Sequence, residues 1–213
     1  MKHKAFTEIV AHSCRVPQKT VALFARNLKE AGLLTSGARG VNAPEMTVLD
    51  LTRMVISLCA TDRPSEATGL TNRYCIAECP EDVTITLGDG ETNFKKGWTL
   101  EDILSGVLMV GAITLMRLHP ELTINWNNRT ATLCLNGQNI HFKAADLSTD
   151  QHDGRGIITT RGIGGTDFAE MALPFYLERE DGTSWEEMTA SGTAAKVASR
   201  HIFGVKDEGD ANG

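Results

Sequence analysis

Residues 16–47 read VPQKTVALFARNLKEAGLLTSGARGVNAPEMT, and the rest of the chain is interpreted outward from this stretch. Pro17 favours the start of a helix, because proline fixes φ and its missing N–H is not needed in a first helical turn. The apolar residues that follow recur at three- and four-residue spacing and predict one buried helical stripe: Val21, Phe24, Ala25 and Leu28. Gly32 is expected to end this helix, because glycine adopts the left-handed C-terminal conformation at the lowest cost.

The neighbouring segments predict a second helix and a hairpin. Before Pro17, residues 4–13 (KAFTEIVAHS) place Phe6, Ile9 and Val10 at helical spacing, which indicates a short amphipathic helix. After Gly32, residues 33–47 have two β-compatible ends around a loop that contains glycine, asparagine and proline. Helix, helix and hairpin is the layout of a winged helix-turn-helix, whose recognition helix enters the DNA major groove.

The polar face of the predicted recognition helix carries the candidate DNA contacts. Gln18 and Lys19, near the helix N-terminus, are placed to reach base edges, and Thr20 is placed to meet a phosphate or a thymine methyl group. Arg26 and Lys29 are expected to meet backbone phosphates. The alternative is a solvated helix face, because Lys, Arg and Gln are common on any exposed surface.

A sixth candidate lies on the predicted wing. Arg39 is flanked by Gly37 and Gly40, which would place it at a wing tip facing the minor groove. The alternative for this segment is a plain surface loop.

Charge is distributed unevenly along the chain. The net charge is −6, which by itself argues against a nucleic-acid binder. Residues 1–53, however, contain eight Lys/Arg and four Asp/Glu, a net charge of +4, whereas the remainder contains 13 Lys/Arg and 23 Asp/Glu. This asymmetry indicates a basic module attached to an acidic one.

Composition is that of an ordinary soluble protein, with 41% hydrophobic and 23% charged residues among 213. The apolar run at 103–118 is too short and too polar to span a bilayer, and the first residues lack the apolar region of a secretory signal. Five cysteines, an odd number, are typical of reduced thiols and predict a cytoplasmic location.

The run KTVALFARNLKEAGLLTSG resembles the recognition helix and wing entry of bacterial winged-helix regulators such as the MarR and IclR groups. The resemblance rests on the ending Leu28-Lys29-Glu30-Ala31-Gly32-Leu33-Leu34 and covers roughly residues 4–50. It implies a winged helix-turn-helix that binds DNA. The same ending occurs in winged helices that bind protein and in phage replication and packaging proteins.

Beyond the winged helix, the chain predicts an α+β fold in three parts. These are the winged helix-turn-helix domain at 1–62, a mixed dimerisation or effector domain at 70–205 with a buried central helix and an antiparallel β-meander, and a disordered tail at 206–213. Its predicted elements are helices at 48–60, 100–118, 167–173, 185–188 and 193–203, and strands at 83–87, 122–126, 129–135, 138–142 and 155–160. Pro174 is expected to close the helix at 167–173.

Motifs for catalysis or metal binding are weak. Cys75 and Cys79 lack the second pair of ligands that zinc needs and are better explained as one face of a helix. The glycine-rich run at 162–167 lacks the spacing of a nucleotide-binding loop, and a lone His152-Asp153 pair arises easily by chance. We therefore expect no enzyme, no cofactor and no metal.

Two functions follow. The first is a sequence-specific transcriptional regulator, a homodimer that binds palindromic DNA and whose acidic part dimerises or senses a ligand or a partner. The second is a phage-type structural or DNA-packaging oligomer in which the winged helix contacts protein.

Overall fold

The computed structural model describes residues 1–37, 44–87, 90–109, 112–144 and 160–177. It is a mixed α+β structure in which helices dominate the first half and antiparallel strands the second. The helices are α1 His3–Ser13, α2 Gln18–Glu30, α3 Val48–Ala60, a 3₁₀ turn Pro64–Glu66, α4 Ala67–Cys75, α5 Leu100–Met109, α6 Ala112–Leu118 and α7 Gly165–Leu177. The strands are β1 Val83–Leu87, β2 Gly90–Phe94, β3 Glu121–Asn125, β4 Thr130–Leu135, β5 Gln138–Lys143 and β6 Thr160–Ile163.

The first two helices form as predicted. In α2 the apolar stripe is buried, with Val21, Phe24, Ala25 and Leu28 all at 1% exposure or less. Gly32 adopts φ 73°, and the N–H of Leu33 donates to the carbonyl of Leu28, which closes the helix with the left-handed motif expected there.

Helix α3 has the predicted bounds and lies at the centre of the fold. Thr47 accepts from the Asp50 N–H while the Asp50 carboxylate accepts from the Thr47 N–H, a reciprocal capping box that fixes where the helix begins. Ten of its thirteen residues are buried, because it packs against α2, α4, α5, α7 and the sheet. The helix predicted at 100–118 was expected to be buried within the second module, and its apolar residues Leu100, Ile103 and Leu104 are indeed buried.

The segment predicted as a helix at 100–118 is helical wherever it is described, as α5 at Leu100–Met109 and as α6 at Ala112–Leu118, and residues 110–111 lie outside the described part. The two parts pack on different neighbours: α5 packs on α3 and α4, whereas α6 packs mainly on α7. Apolar residues around most of the circumference are therefore used against several neighbouring helices.

The predicted three-stranded meander is confirmed, and a fourth strand, β6, pairs with its first strand, β3. The sheet has the order β5-β4-β3-β6, and every pair is antiparallel. Asn136 and Gly137 both adopt positive φ, 50° and 77°, as the tight turn between β4 and β5 requires. Of the strand predicted at 155–160, only Thr160 is described, and it is the first residue of β6. Residues 145–159 lie outside the described part. A separate hairpin pairs β1 with β2.

Helix α7 continues through Pro174 to Leu177, so the predicted end at 173 was wrong. Proline removes one backbone hydrogen bond from a helix, but packing on both sides of it holds this one together. Phe168 and Met171 are fully buried, and Phe175 meets the ring of Phe6 on α1 edge-on at 6.4 Å.

The apolar core is continuous from Met1 to Ala172 and is not interrupted at residues 62–70, where the sequence placed a boundary between two modules. Contacts between α1 and α7 join the ends of the described chain, including a hydrogen bond from Ser13 Oγ to Glu170 Oε2 at 3.3 Å. The helices predicted at 185–188 and 193–203 and the tail at 206–213 lie outside the described residues.

Candidate nucleic-acid interface

Helices α1 and α2 are joined by a tight turn of four residues, 14–17. The N–H of Arg15 donates to the carbonyl of His12, and the N–H of Val16 donates to that of Ala11, so α1 ends in the same left-handed motif as α2. The residue in the left-handed position is Arg15, with φ 52°. Glycine usually occupies this position, because a side chain there costs about 1–2 kcal/mol.

Arg15 is exposed and precedes α2 by only three residues. The sequence alone did not single it out. The one available signal is that no glycine lies between the two predicted helices, which leaves any left-handed position there to a residue with a side chain. A strained arginine beside the N-terminus of a candidate recognition helix is a candidate contact residue, because backbone strain concentrates at functional sites.

The N-terminal end of α2 presents the first group of predicted residues to solvent. Gln18 and Lys19 are exposed, and Thr20 is half-buried. The Gln18 side-chain amide donates to Glu8 Oε1 at 3.3 Å across the turn. The ammonium of Lys19 has no hydrogen-bond or ion-pair partner within the described part of the chain.

Arg26 and Lys29, about two and three turns further on, differ in how accessible they are. Arg26 is exposed and its Nε donates to Glu30 Oε1 at 2.7 Å, which offsets its charge locally. Lys29 is half-buried, and burial lowers its pKa although the nearby Asp50 carboxylate opposes the shift. Burial and, to a smaller extent, the charge of Lys29 lower the pKa of His3 on α1.

The segment that follows α2 is closed at its base but contains no strand in its described residues, 33–37 and 44–47. A Cβ on Gly37 would lie 3.0 Å from the ring of Pro44, so the two ends of the loop meet there. The buried Asp50 carboxylate accepts from the N–H and the hydroxyl of Thr35 at 2.6 and 2.8 Å, which ties the loop to α3. The predicted wing tip, with Arg39, lies outside the described residues.

One apolar side chain interrupts the exposed face of α2. Leu23 is 52% exposed and follows Ala22, which is also exposed, between Lys19 and Arg26. Such a residue can meet a thymine methyl group in a major groove or an apolar patch on a protein.

A cavity of about 350 Å³ opens beside the α1–α2 turn, lined by Arg15 and Val16 together with the end of α3, β6 and the start of α7. Two cysteines line it. Burial raises the pKa of Cys14 to about 12 and that of Cys59 to about 12, so both thiols stay protonated at neutral pH. Among the described residues no group of three or more His, Cys, Asp or Glu side chains is placed to hold a metal ion.

No family model, no curated protein and no solved structure matches this chain. No described helix combines the length and apolar character needed to cross a lipid bilayer.

Proposed function

We propose that the chain is a sequence-specific DNA-binding regulator in which α1, the turn at 14–17 and α2 form a helix-turn-helix and the loop at 31–47 supplies the wing. The observation that carries the proposal is the exposed N-terminal end of α2. There Gln18 and Lys19 stand free of the core beside Arg15, while a fully buried stripe holds the helix rigidly from the other side.

Charge supports the same assignment. Residues 1–37 contain six Lys/Arg and two Asp/Glu, a net charge of +4 in a chain of net charge −6. Phosphate contacts supply most of the affinity of proteins for DNA, so the binding surface must be the part of the chain that is locally positive. α1, the turn and α2 meet that condition.

A regulator that binds palindromic DNA needs a second copy of the chain. The described surface offers a dimer contact on the segment that the sequence analysis assigned to dimerisation. Met109 at the end of α5 is 64% exposed, and Met116 on α6 is 55% exposed. Large apolar side chains this exposed are typical of contact surfaces.

The test is a titration of labelled duplex DNA by fluorescence anisotropy at several salt concentrations, with the double variant Lys19→Ala/Arg26→Ala. Loss of one cation expected at base edges, Lys19, and one expected at a phosphate, Arg26, should weaken binding at low salt and reduce the slope of log K against log salt by roughly 1. The matched control is Lys95→Ala/Lys96→Ala, which removes two exposed lysines from the turn after β2 and should bind as wild type does. Equal affinity and slope for the two double variants contradict the proposal.

The second candidate is an assembly protein that uses the same face to bind protein. Leu23 favours it, together with the pairing of Arg26 with Glu30 and of Gln18 with Glu8, since both pairs reduce the net positive potential of the face. Light scattering separates the two candidates. A dimer supports the regulator, whereas a ring of many copies supports the assembly protein.

A further inference from the structure

A second cavity, remote in sequence from the α1–α2 turn, lies where α3 ends. Its volume is about 370 Å³, near the lower end of the range for small-molecule sites. The walls come from the end of α3, the 3₁₀ turn, α4 and the β3–β4 turn, and the charged and aromatic residues among them are Asp62, Arg63, Glu66, Arg73, Tyr74, Trp126 and Arg129.

The charges of this cavity are only partly compensated. Arg63 pairs with Glu66 at 3.1 Å. The guanidinium groups of Arg73 and Arg129 make no hydrogen bond or ion pair within the described part of the chain, and Asp62 is the only other charged residue in the lining. Arg73 on α4 and Arg129 on the β3–β4 turn both line this cavity, so two guanidinium groups that lack a partner among the described residues are available to one bound anion.

The backbone at Arg129 adds an independent observation. Arg129 adopts φ 56°, in the left-handed region that costs a residue with a side chain about 1–2 kcal/mol. Its carbonyl accepts from the N–H of Ala144 at 3.4 Å, so the strained conformation is held by the end of β5. This conformation places the guanidinium in the lining of the cavity.

The aromatic part of the cavity is held in place by hydrogen bonds. The indole Nε1 of Trp126 donates to the carbonyl of Cys59 at 2.7 Å, and the guanidinium of Arg161 lies 5.6 Å from the centre of the indole ring. Arg161 in turn donates to the carbonyls of Leu58 and Thr61, so the last turn of α3 and the indole are fixed together. Trp126 remains half-buried and can contact a flat ring.

Tyr74 is the buried member of the lining, and its hydroxyl donates to the carbonyl of Asn125 at 3.5 Å. A phenol is neutral at pH 7 at its ordinary pKa, and burial raises the pKa of Tyr74 to about 12. Tyr74 therefore adds no negative charge to the cavity at neutral pH.

We propose that this cavity binds a nucleoside monophosphate, with its phosphate between Arg73 and Arg129 and its base against the indole of Trp126. The ligand class follows from the combination of two guanidinium groups that are unpaired among the described residues, one half-buried flat ring and a volume that admits only a small molecule. The site is independent of the DNA-binding proposal, because none of its lining residues belongs to α1 or α2.

Isothermal titration calorimetry of the full chain with adenosine monophosphate tests the site, with guanosine, cytidine and uridine monophosphates alongside. The expected result is saturable one-to-one binding of at least one nucleotide, weakened at least tenfold in Arg73→Gln/Arg129→Gln, because each charge-assisted hydrogen bond contributes about a tenfold change or more. Both arginines are exposed, and thermal melting will show whether the variant is folded. Lys95→Gln/Lys96→Gln, which removes two exposed cations outside the lining and outside α1 and α2, is the matched control and should bind as wild type does.

Three results overturn the proposal. One is the absence of saturable binding for all four nucleotides, and another is equal binding by wild type and by the double arginine variant. The third separates a mononucleotide from a nucleic-acid strand: a 5′-phosphorylated single-stranded tetranucleotide that binds tenfold more tightly than every mononucleotide assigns the cavity to a polymer. Inorganic phosphate and adenosine serve as separate probes, and each should bind at least tenfold more weakly than the nucleotide that combines them.

Discussion

Arg15→Gly should make the protein more stable and its DNA binding weaker. In the left-handed position at the end of α1, replacing arginine by glycine removes a conformational cost of about 1–2 kcal/mol. Glycine also gives the unfolded chain more freedom, which takes back about 0.5–1 kcal/mol. The net expectation is a gain of about 0.5–1 kcal/mol in the free energy of unfolding, although a cation that faces DNA is lost.

Urea unfolding of the full chain measures the first effect, and anisotropy titration of duplex DNA measures the second. With a slope of roughly 2–3 kcal/mol per molar urea, the midpoint should rise by about 0.3 M. Arg15→Ala is the informative control, because it removes the same cation but retains the strained backbone. It should bind DNA as weakly as the glycine variant without the gain in stability.

Gly32 supplies the reciprocal control, since it occupies the same position at the end of α2. A Cβ there would meet no atom within 4 Å, so Gly32→Ala tests the backbone cost alone and should lower stability by about 0.5–1 kcal/mol. If Arg15→Gly fails to exceed Arg15→Ala in stability, the strain at the turn is refuted. If both variants of Arg15 bind DNA as wild type does, Arg15 is not a contact residue.

Three further predictions concern the same half of the chain. Glu30→Gln frees Arg26 from its partner and should raise DNA affinity several-fold at low salt, an effect that disappears as added salt screens the charge in the same anisotropy assay. Asp50→Asn weakens the buried capping box and the link to the loop after α2, and it should lower the free energy of unfolding in urea by about 2–3 kcal/mol. Asp102→Asn, in the exposed capping box of α5, should lower it clearly less. Equal losses of stability in the two variants would contradict the importance of burial. Burial and a nearby ammonium lower the pKa of His3 below its ordinary 6.5. Because the unfolded chain then binds the proton more readily than the folded chain, the free energy of unfolding should fall as the pH drops below 6.5. In His3→Gln this part of the fall should be absent from unfolding curves measured from pH 7 to pH 5.

Much of the fold could be predicted because short-range signals determine it. Thr47 and Asp50 fixed the start of α3 through a capping box, and Asn136-Gly137 fixed the β4–β5 hairpin through two residues that tolerate positive φ. In both cases the deciding residues lie within four positions of the feature that they control. The buried stripe of α2 was predictable for the same reason.

Long-range packing decides the features that the sequence did not reveal. The apolar residues of α3 are consistent with burial on several sides, but they do not show that its neighbours are four helices and a sheet. Pro174 reads as a stop locally, but contacts of α7 with α1 and α6 outweigh one missing hydrogen bond. Lys29 looked equivalent to Arg26 on the polar face, yet Lys29 is half-buried and Arg26 is exposed.

The position of the candidate site was predicted from the sequence, but only some of its residues were. The exposed end of α2, with Gln18 and Lys19, is where the helical period placed it. Arg15 was missed because its importance depends on a backbone conformation. The cavity at the end of α3 was missed because Arg73 and Arg129 are 56 positions apart and meet only through the packing of the β3–β4 turn beside α4.

Selection of bound sequences from random duplex DNA, using the full chain, tests the central claim most directly. The account predicts that successive rounds enrich a palindromic sequence, and that Lys19→Ala/Arg26→Ala fails to enrich it under the same conditions. A final pool indistinguishable from the starting pool would contradict the assignment of the α2 surface to sequence-specific DNA binding.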